Sequence, residues 1–387
     1  MVNPSSPKTQ PAKRYDVVVR GAGIVGRTLA LLFAQERLKV ALVEPARPAD
    51  HAQRPDVRAY AINAASKALL ESVRAWPSDG QQPAATTPVM AMEVHGDAGG
   101  ELDFLAGDAQ VDALAWIVDV PGLEARLANA VEFQGSIDCL SEAPAAAPLT
   151  VICEGKRSRT REALGIEFDT RPYPHKAIAA RLQCEKQHGG IARQWFRDGQ
   201  IMALLPLGGA EGNSVALVWS LNKAEADEWL SKDAADLTQA IGERCDHALG
   251  DMTLEHAPQA WPLERSRARQ WTLSTATGGV ALAGDAAHAM HPLAGQGLNV
   301  GLGDVAALAK VMREREYWRS VGDPKLLRRY ERSRQADVSA MSLLTDGLFG
   351  LFEHRHEAFQ TLRNRGLSGV NRLGPVKQWL TRQAMGL

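Results

Sequence analysis

The chain has 387 residues, is 45% hydrophobic and 23% charged, and carries a formal net charge of -1 at pH 7. That length and composition suffice to bury the core of two intertwined domains, and the near-neutral balance excludes general nucleic-acid binding. Cys139, Cys153, Cys184 and Cys245 are widely spaced with no Cys-x-x-Cys, so disulfides are not implied and a reduced, cytoplasmic setting fits.

Residues 1–13 are polar, with Pro and Lys, and lack the apolar core of a secretion signal, so they read as a disordered tail. No run reaches the length of a membrane span. Tyr15-Asp-Val-Val-Val-Arg20 is a buried-strand pattern that runs into Gly21-Ala-Gly23-Ile-Val-Gly26, a helical stretch from Arg27 to Glu36, and a second apolar strand, Val40 to Val43. Glu44 closes that strand, eighteen residues beyond Gly26. Strand, glycine turn, helix start and acid together make the dinucleotide fingerprint: the helix N-terminus faces a pyrophosphate and the acid binds ribose hydroxyls. Taken alone, the fingerprint leaves NAD and FAD open.

The middle of the chain reads as β-rich. Met92 to His95, Leu102 to Leu105, Ala177 to Leu182, Ala192 to Phe196, Ile201 to Leu205 and Ser214 to Leu221 are short runs separated by Gly, Asn and Asp, as in an antiparallel sheet. His175 and His188 are available as bases but read as surface histidines. No Ser-His-Asp or paired-carboxylate spacing offers another mechanism.

The run from Gly284 to Asp304 combines a strand end after Val280 to Ala283, a glycine-rich loop with Gly295 and Gly297, and a helix continuing from Val300 to Met312. It reads as a flavin cradle. N–H groups at that helix start would stabilise negative charge on a reduced flavin, by roughly 0.3–2 kcal/mol for the dipole alone. Asp285 would accept hydrogen bonds from ribityl hydroxyls. FAD, unlike NAD, is long enough to need a second cradle this far downstream. His288 and His291 lack further ligands at suitable spacing, so no metal is expected.

With these motifs the chain resembles the class A flavoprotein monooxygenases of the para-hydroxybenzoate hydroxylase fold, and within them the ubiquinone-biosynthesis hydroxylases. The likeness also covers Asp56-Val-Arg58, Ala203-Leu-Leu-Pro-Leu207, Thr345-Asp-Gly-Leu-Phe-Gly-Leu-Phe352 and the ending Lys377 to Leu387. It implies an α/β fold: a Rossmann-like FAD-binding domain (14–75, 100–165 and 270–340), an interleaved antiparallel β-sheet substrate domain (76–99 and 166–269), and a C-terminal helical segment (341–387). It also implies residue roles. Gly21, Gly23, Gly26 and Glu44 would hold the ADP half of FAD. Gly284 and Asp285 would hold the ribityl chain, and the backbone from Leu293 to Asn299, with Gly295, Gln296, Gly297 and Leu298, the ring. Arg58 matches the family's arginine near the flavin, and Pro292 the proline beside the ring where oxygen reacts.

Three departures from the family stand out. Glu154-Gly155 replaces the usual Asp-Gly, a motif linked to FAD and to the reducing nucleotide. Arg20 stands where a small or apolar residue is usual, and a cation there must find a partner because burying it alone is costly. Val120 and Pro121 replace polar residues, and Ala128 to Thr150 is short and rich in Ala and Pro, as if a hairpin were trimmed.

The resemblance implies an FAD-dependent monooxygenase that uses NAD(P)H or an electron-transfer partner. It would hydroxylate a lipophilic phenol with O2 through a flavin hydroperoxide. A second reading is a flavin-binding assembly subunit of a quinone-biosynthesis complex. From Lys310 onward there are fifteen Lys and Arg against eight Asp and Glu, interspersed with apolar residues. This basic C-terminus either packs on the body or meets a partner or the inner face of a membrane.

Overall fold

The computed structural model describes residues 13–44, 55–77, 86–96, 99–209, 212–289 and 296–353, with the side chains of 296 and 342–353 excepted. The opening unit is β1 (Val17–Arg20), α1 (Ile24–Gln35) and β2 (Val40–Val43). Then come β3 (Ala59–Ile62), α2 (Ala64–Ser72), β4 (Thr86–Val89), β5 (Ala91–His95), β6 (Glu101–Leu105) and α3 (Ala106–Ala109). These lead into β7 (Ala115–Asp119), α4 (Val120–Glu132), β8 (Ile137–Leu140), β9 (Leu149–Ile152) and α5 (Arg159–Ala163). Long strands follow: β10 (Phe168–Cys184), β11 (Ile191–Arg197), β12 (Gln200–Leu207) and β13 (Ser214–Asn222), then α6 (Lys223–Ser231) and α7 (Ala234–Arg244). The remainder is β14 (Met252–Leu254), β15 (Gln259–Ala268), β16 (Thr272–Thr275), β17 (Gly278–Leu282), β18 (His288–Ala289), α8 (Gln296–Arg313) and α9 (Pro324–Glu353).

A six-stranded sheet has the order β16-β17-β9-β1-β2-β8. All its neighbours are parallel except the β16–β17 hairpin. Its central strands are mostly apolar because both faces are covered: Val17 and Val19 belong to the cluster under α1, Val18 to a smaller cluster on the other face. Helix α1 is apolar nearly all round and is buried between the sheet, α4 and α8. Its one buried hydroxyl, Thr28, donates to the Ile24 carbonyl at 2.7 Å.

The second sheet has nine strands in the order β18-β15-β10-β13-β12-β11-β5-β6, with β14 beside β10. It is antiparallel except at β11–β5. Side chains alternate: Ile178, Ala180, Leu182, Val215, Leu217 and Trp219 form a core with α7, whereas Ala177, Ala179, Ala216 and Val218 face a groove toward the first sheet. A three-stranded sheet, β3-β7-β4, lies between the two.

Two expected boundaries move. Strand β6 pairs with β5 in the nine-stranded sheet, so the division at residue 100 falls inside a hairpin, and the division at 341 falls inside α9. A local pattern cannot show either, because hairpin pairing and helix continuity cross both positions. The stretch from Leu140 to Leu149 crosses from β8 to β9 with no strand between them. Among the described residues, no helix is long and apolar enough to cross a membrane.

Candidate active site

Three glycines follow β1, each for a different reason. Gly21 has φ +104°, and a Cβ there would lie 2.4 Å from the Cys153 carbonyl oxygen. At Gly26 a Cβ would come within 1.9 Å of the Gly21 carbonyl, so this glycine lets α1 sit against the turn. Gly23 differs from both, because a Cβ there would meet no protein atom within 4 Å. It is the N-cap of α1, with extended backbone and no side-chain cap, so the first N–H groups of the helix face an open cradle.

That cradle belongs to a cavity of about 670 Å3 lined by Gly21, Gly23, Glu44, Arg58, Glu154, Asp285, Gly297 and Leu298 on the parallel-sheet side. Ala177, Ala179, Ala216, Val218, Trp261 and Leu263 close the opposite side. Glu44 lies at the end of β2, where Arg27 of α1 holds it at 3.1 Å. This fits the adenosine end of FAD: an acid for the ribose, open helix N–H groups for the pyrophosphate, and a carboxylate, Asp285, farther along.

Asp285 reaches solvent through the groove while protein surrounds it on the other sides. Burial pushes its carboxyl pKa up, offset in part by Lys156 and His288. Hydroxyl donors from a ribityl chain would relieve that cost. Arg58 is held by Asp56, Nε to Oδ1 at 2.8 Å and Nη2 to Oδ2 at 2.5 Å. Burial acts to raise the Asp56 carboxyl pKa, but the Arg58 hydrogen bonds outweigh it and hold it below the ordinary range. Tyr60, partly buried between Arg58 and Asp285, has its phenol pKa raised by burial.

A buried network supports the Gly284 turn. Asp304, fully buried, accepts from Gly284 N at 2.8 Å, His288 Nε2 at 2.7 Å and Arg334 Nε at 2.8 Å. Burial opposes its ionisation, but His288 and Arg334 overcome that and lower its pKa. Gly284 itself has φ +63° and sits against Val25 of α1, which brings the two glycine motifs together.

The two charged departures in the sequence meet. Arg20 Nε donates to Glu154 Oε1 at 3.1 Å, and Glu154 also accepts from Ser158 Oγ at 2.7 Å, Thr160 Oγ1 at 2.6 Å and Thr160 N at 3.1 Å. Burial raises the Glu154 pKa, but these donors together bring it below the usual value. The extra methylene of Glu therefore ties the start of α5 to the end of β1.

Other expected residues are placed as follows. Pro292 and Gly295, with Leu293, lie outside the described residues, and Gln296 begins α8. The Asn299 side chain donates to the Ala61 carbonyl at 2.8 Å and accepts from Asn63 N at 3.1 Å, so it clamps α8 to β3. His175 and His188 are not surface residues, at 7% and 1% exposure. His188 lies in the loop between β10 and β11, where it bonds the Leu207 carbonyl through Nε2 at 2.8 Å and accepts from Gly190 N at 3.0 Å, leaving it no role as a base. Sequence reasoning missed Tyr60, Glu124 and Trp261, which line the cavity, and the Asp304–Arg334 pair. Only the acid of the glycine-rich run carried a signal.

A family model described as FAD binding domain matches residues 142–343. The 3-demethoxyubiquinol 3-hydroxylase of Escherichia coli is 31% identical over 96% of this chain and 98% of its own length. Ubiquinone hydroxylase UbiL of Rhodospirillum rubrum is 31% identical over 97% of this chain and 90% of its own. Among solved structures, Pseudomonas aeruginosa PqsL superposes with a TM-score of 0.74 at 20% identity, covering 91% of this chain and all of that one. p-Nitrophenol 4-monooxygenase PnpA of Pseudomonas putida gives a TM-score of 0.72 at 16% identity, over 96% and 98%. At such identities the structural likeness shows the fold alone.

Proposed function

From the premise that the chain belongs to the FAD binding domain family and, within it, to the ubiquinone-biosynthesis hydroxylases, we propose that it hydroxylates the aromatic ring of a lipophilic, polyprenylated phenol on the route to ubiquinone. The observation that carries this is the groove itself. On one side it has a glycine cradle with room at Gly23 and an acid at each end of a dinucleotide's path. On the other it has an apolar sheet face of small side chains.

The chemistry supplied by bound FAD is electron uptake from NAD(P)H and activation of O2. The protein's part is binding, orientation and exclusion of water. Glu44 would accept from the adenosine ribose, the N–H groups after Gly23 would meet the pyrophosphate, and Asp285 would meet the ribityl hydroxyls. The backbone at Gly297 and Leu298 would approach the ring. Ala177, Ala179, Ala216 and Val218 form a smooth apolar wall on which a substituted phenol ring can lie. Arg58, fixed by Asp56, holds positive charge beside this space.

The assembly-subunit reading rested on Arg20, Glu154 and the shortened segment. Arg20 and Glu154 satisfy each other, and the described part of the cradle, with Gly23, Glu44 and Asp285 along one groove, keeps its form around them, which supports the hydroxylase reading. Of the fifteen Lys and Arg of the basic C-terminus, nine lie between Lys310 and Arg334, and the other six lie beyond the described residues, so docking of a membrane or complex there involves residues partly outside those described.

The test is to purify the protein, record its visible spectrum and follow NADH and NADPH oxidation with and without a prenylated phenol, then weigh the organic products. A flavin spectrum, substrate-stimulated oxidation and a product heavier by one oxygen support the reading. A protein that binds no flavin overturns it.

A further inference from the structure

The turn that carries Asp285 is braced from the far end of the chain. Helix α9 crosses behind the six-stranded sheet and places one turn, Tyr330 to Arg334, against the base of the groove. Tyr330 Oη donates to the Leu282 carbonyl at 2.8 Å, and Glu331 accepts from Trp271 N at 2.7 Å and Thr272 Oγ1 at 2.8 Å. Arg334, 9% exposed, reaches deepest. Its Nε donates to Asp304 Oδ1 at 2.8 Å, Nη2 to the Val300 carbonyl at 3.2 Å, and Nη1 to Asp337 at 2.8 Å.

The other Asp304 oxygen, Oδ2, accepts from Gly284 N and His288 Nε2. His288 in turn stacks on Trp271, with centroids 4.9 Å apart. One carboxylate thus joins α8, α9 and both sides of the Gly284–Asp285 turn. The fit leaves little slack, since a Cβ at Gly303 would lie 3.0 Å from Arg334 Nη2 and one at Gly301 3.1 Å from a Val25 methyl.

We propose that Arg334 is a positioning residue for the cofactor. By orienting Asp304, it fixes the Gly284 N–H and therefore the direction in which Asp285 enters the groove. The C-terminal helix is then part of the cofactor site although it touches no ligand. Without Arg334, Asp304 has one cationic neighbour fewer and rotates toward His288, and the Gly284 N–H loses its fixed acceptor. This inference rests on the groove being the flavin site.

The test compares Arg334→Ala, Arg334→Lys and Glu331→Ala as purified apoproteins. FAD affinity is measured by quenching of flavin fluorescence, apoprotein melting by circular dichroism, and the bound flavin by its visible spectrum. Glu331→Ala serves as the control, because it removes hydrogen bonds from the same turn of α9 without touching Asp304.

Arg334→Ala should raise the FAD Kd by at least about tenfold and shift the bound-flavin bands, as loss of a buried acceptor's orientation predicts. Arg334→Lys, which keeps the charge, should recover most of the affinity. Glu331→Ala should lower the melting temperature while leaving the Kd within about twofold. If Arg334→Ala does not fold, the neutral Arg334→Gln takes its place, and an unchanged Kd and spectrum for that variant overturn the proposal. A Kd that tracks the loss of melting temperature equally in Glu331→Ala and the Arg334 variants also overturns it. Wild-type protein that binds no FAD would sink the site reading instead, so the two failures are distinguishable.

Discussion

Gly23 and Gly26 lie three residues apart in one turn, yet alanine at the two positions should fail in opposite ways. At Gly26 the new methyl would sit 1.9 Å from the Gly21 carbonyl oxygen and 3.3 Å from the Cys153 Cβ. Restoring an ordinary C···O separation of ~3.3 Å requires α1 to retreat by more than about 1 Å. Backbone pressing on backbone has no side chain to rotate away, so the cost lies at or above the top of the usual overpacking range, about 3 kcal/mol. For a chain of 387 residues the apoprotein should melt roughly 4 °C lower or more.

At Gly23 the backbone is extended, φ -77° and ψ -174°, and the methyl meets nothing. Alanine there should leave apoprotein melting within about 1 kcal/mol of wild type, since the lost chain entropy and the poorer cap nearly offset. The methyl would instead occupy the room where the backbone must approach a pyrophosphate. An overpacking cost of about 1–3 kcal/mol at that contact weakens FAD binding by roughly 5- to 150-fold. Melting curves of the two apoproteins and fluorescence titrations with FAD separate the cases. A Gly23→Ala protein with wild-type FAD affinity would refute the placement of the pyrophosphate, and a Gly26→Ala protein with unchanged melting would refute the packing argument.

Three further outcomes are expected. Burial raises the Asp285 carboxyl pKa in the apoprotein, so its charge is a liability above that pKa; Asp285→Asn should melt at or above wild type at pH 7 yet hold FAD more weakly, and a lower melting temperature would contradict this. The folded-state pKa of Asp304 is lowered, so its contribution to stability is full above the ordinary value of 3.8 and is lost as pH falls through the folded one; Asp304→Asn should flatten the acid limb of a melting-versus-pH curve, and an unchanged limb would count against the ion network. Ala179→Phe should fill the apolar wall, lowering turnover of a prenylated phenol at least about tenfold with FAD content unchanged, and retained turnover would place the substrate elsewhere.

The dinucleotide fingerprint and the Gly284 to Asp304 run were legible because their signals are local: glycine spacing, an apolar strand before each, and an acid at a fixed distance. Strands β5, β6 and β11 to β13 were legible for the same reason. What escaped depends on which distant residues meet. Arg20 and Glu154 are separated by 134 positions, and each looked anomalous until parallel pairing of β1 with β9 set them side by side. Arg334 carries no motif that points to Asp304, because the register of α9 against α8 is set by packing. His188 looked like a surface residue because its neighbours in sequence are polar, whereas its loop folds it against the end of β12. Arg58 was found only through family resemblance, and its restraint by Asp56 follows from a turn that composition does not specify.

The interleaving of the two sheets also governs when the protein can first hold its cofactor. Strand β1 pairs with β2 early, but its other neighbour, β9, emerges far later, and Asp285 and its brace at Arg334 later still. At about 5–20 residues per second, roughly 15–60 s of synthesis separates Gly21 from Arg334 on the ribosome. Until β9 is made the apolar edge of β1 is unpaired, and the all-round apolar α1 lacks α8 for most of the interval. FAD cannot stabilise the nascent chain during this time, because no amino-terminal portion contains the whole groove. Yield in a cell should therefore depend on chaperone protection of the early βαβ unit more than on flavin supply.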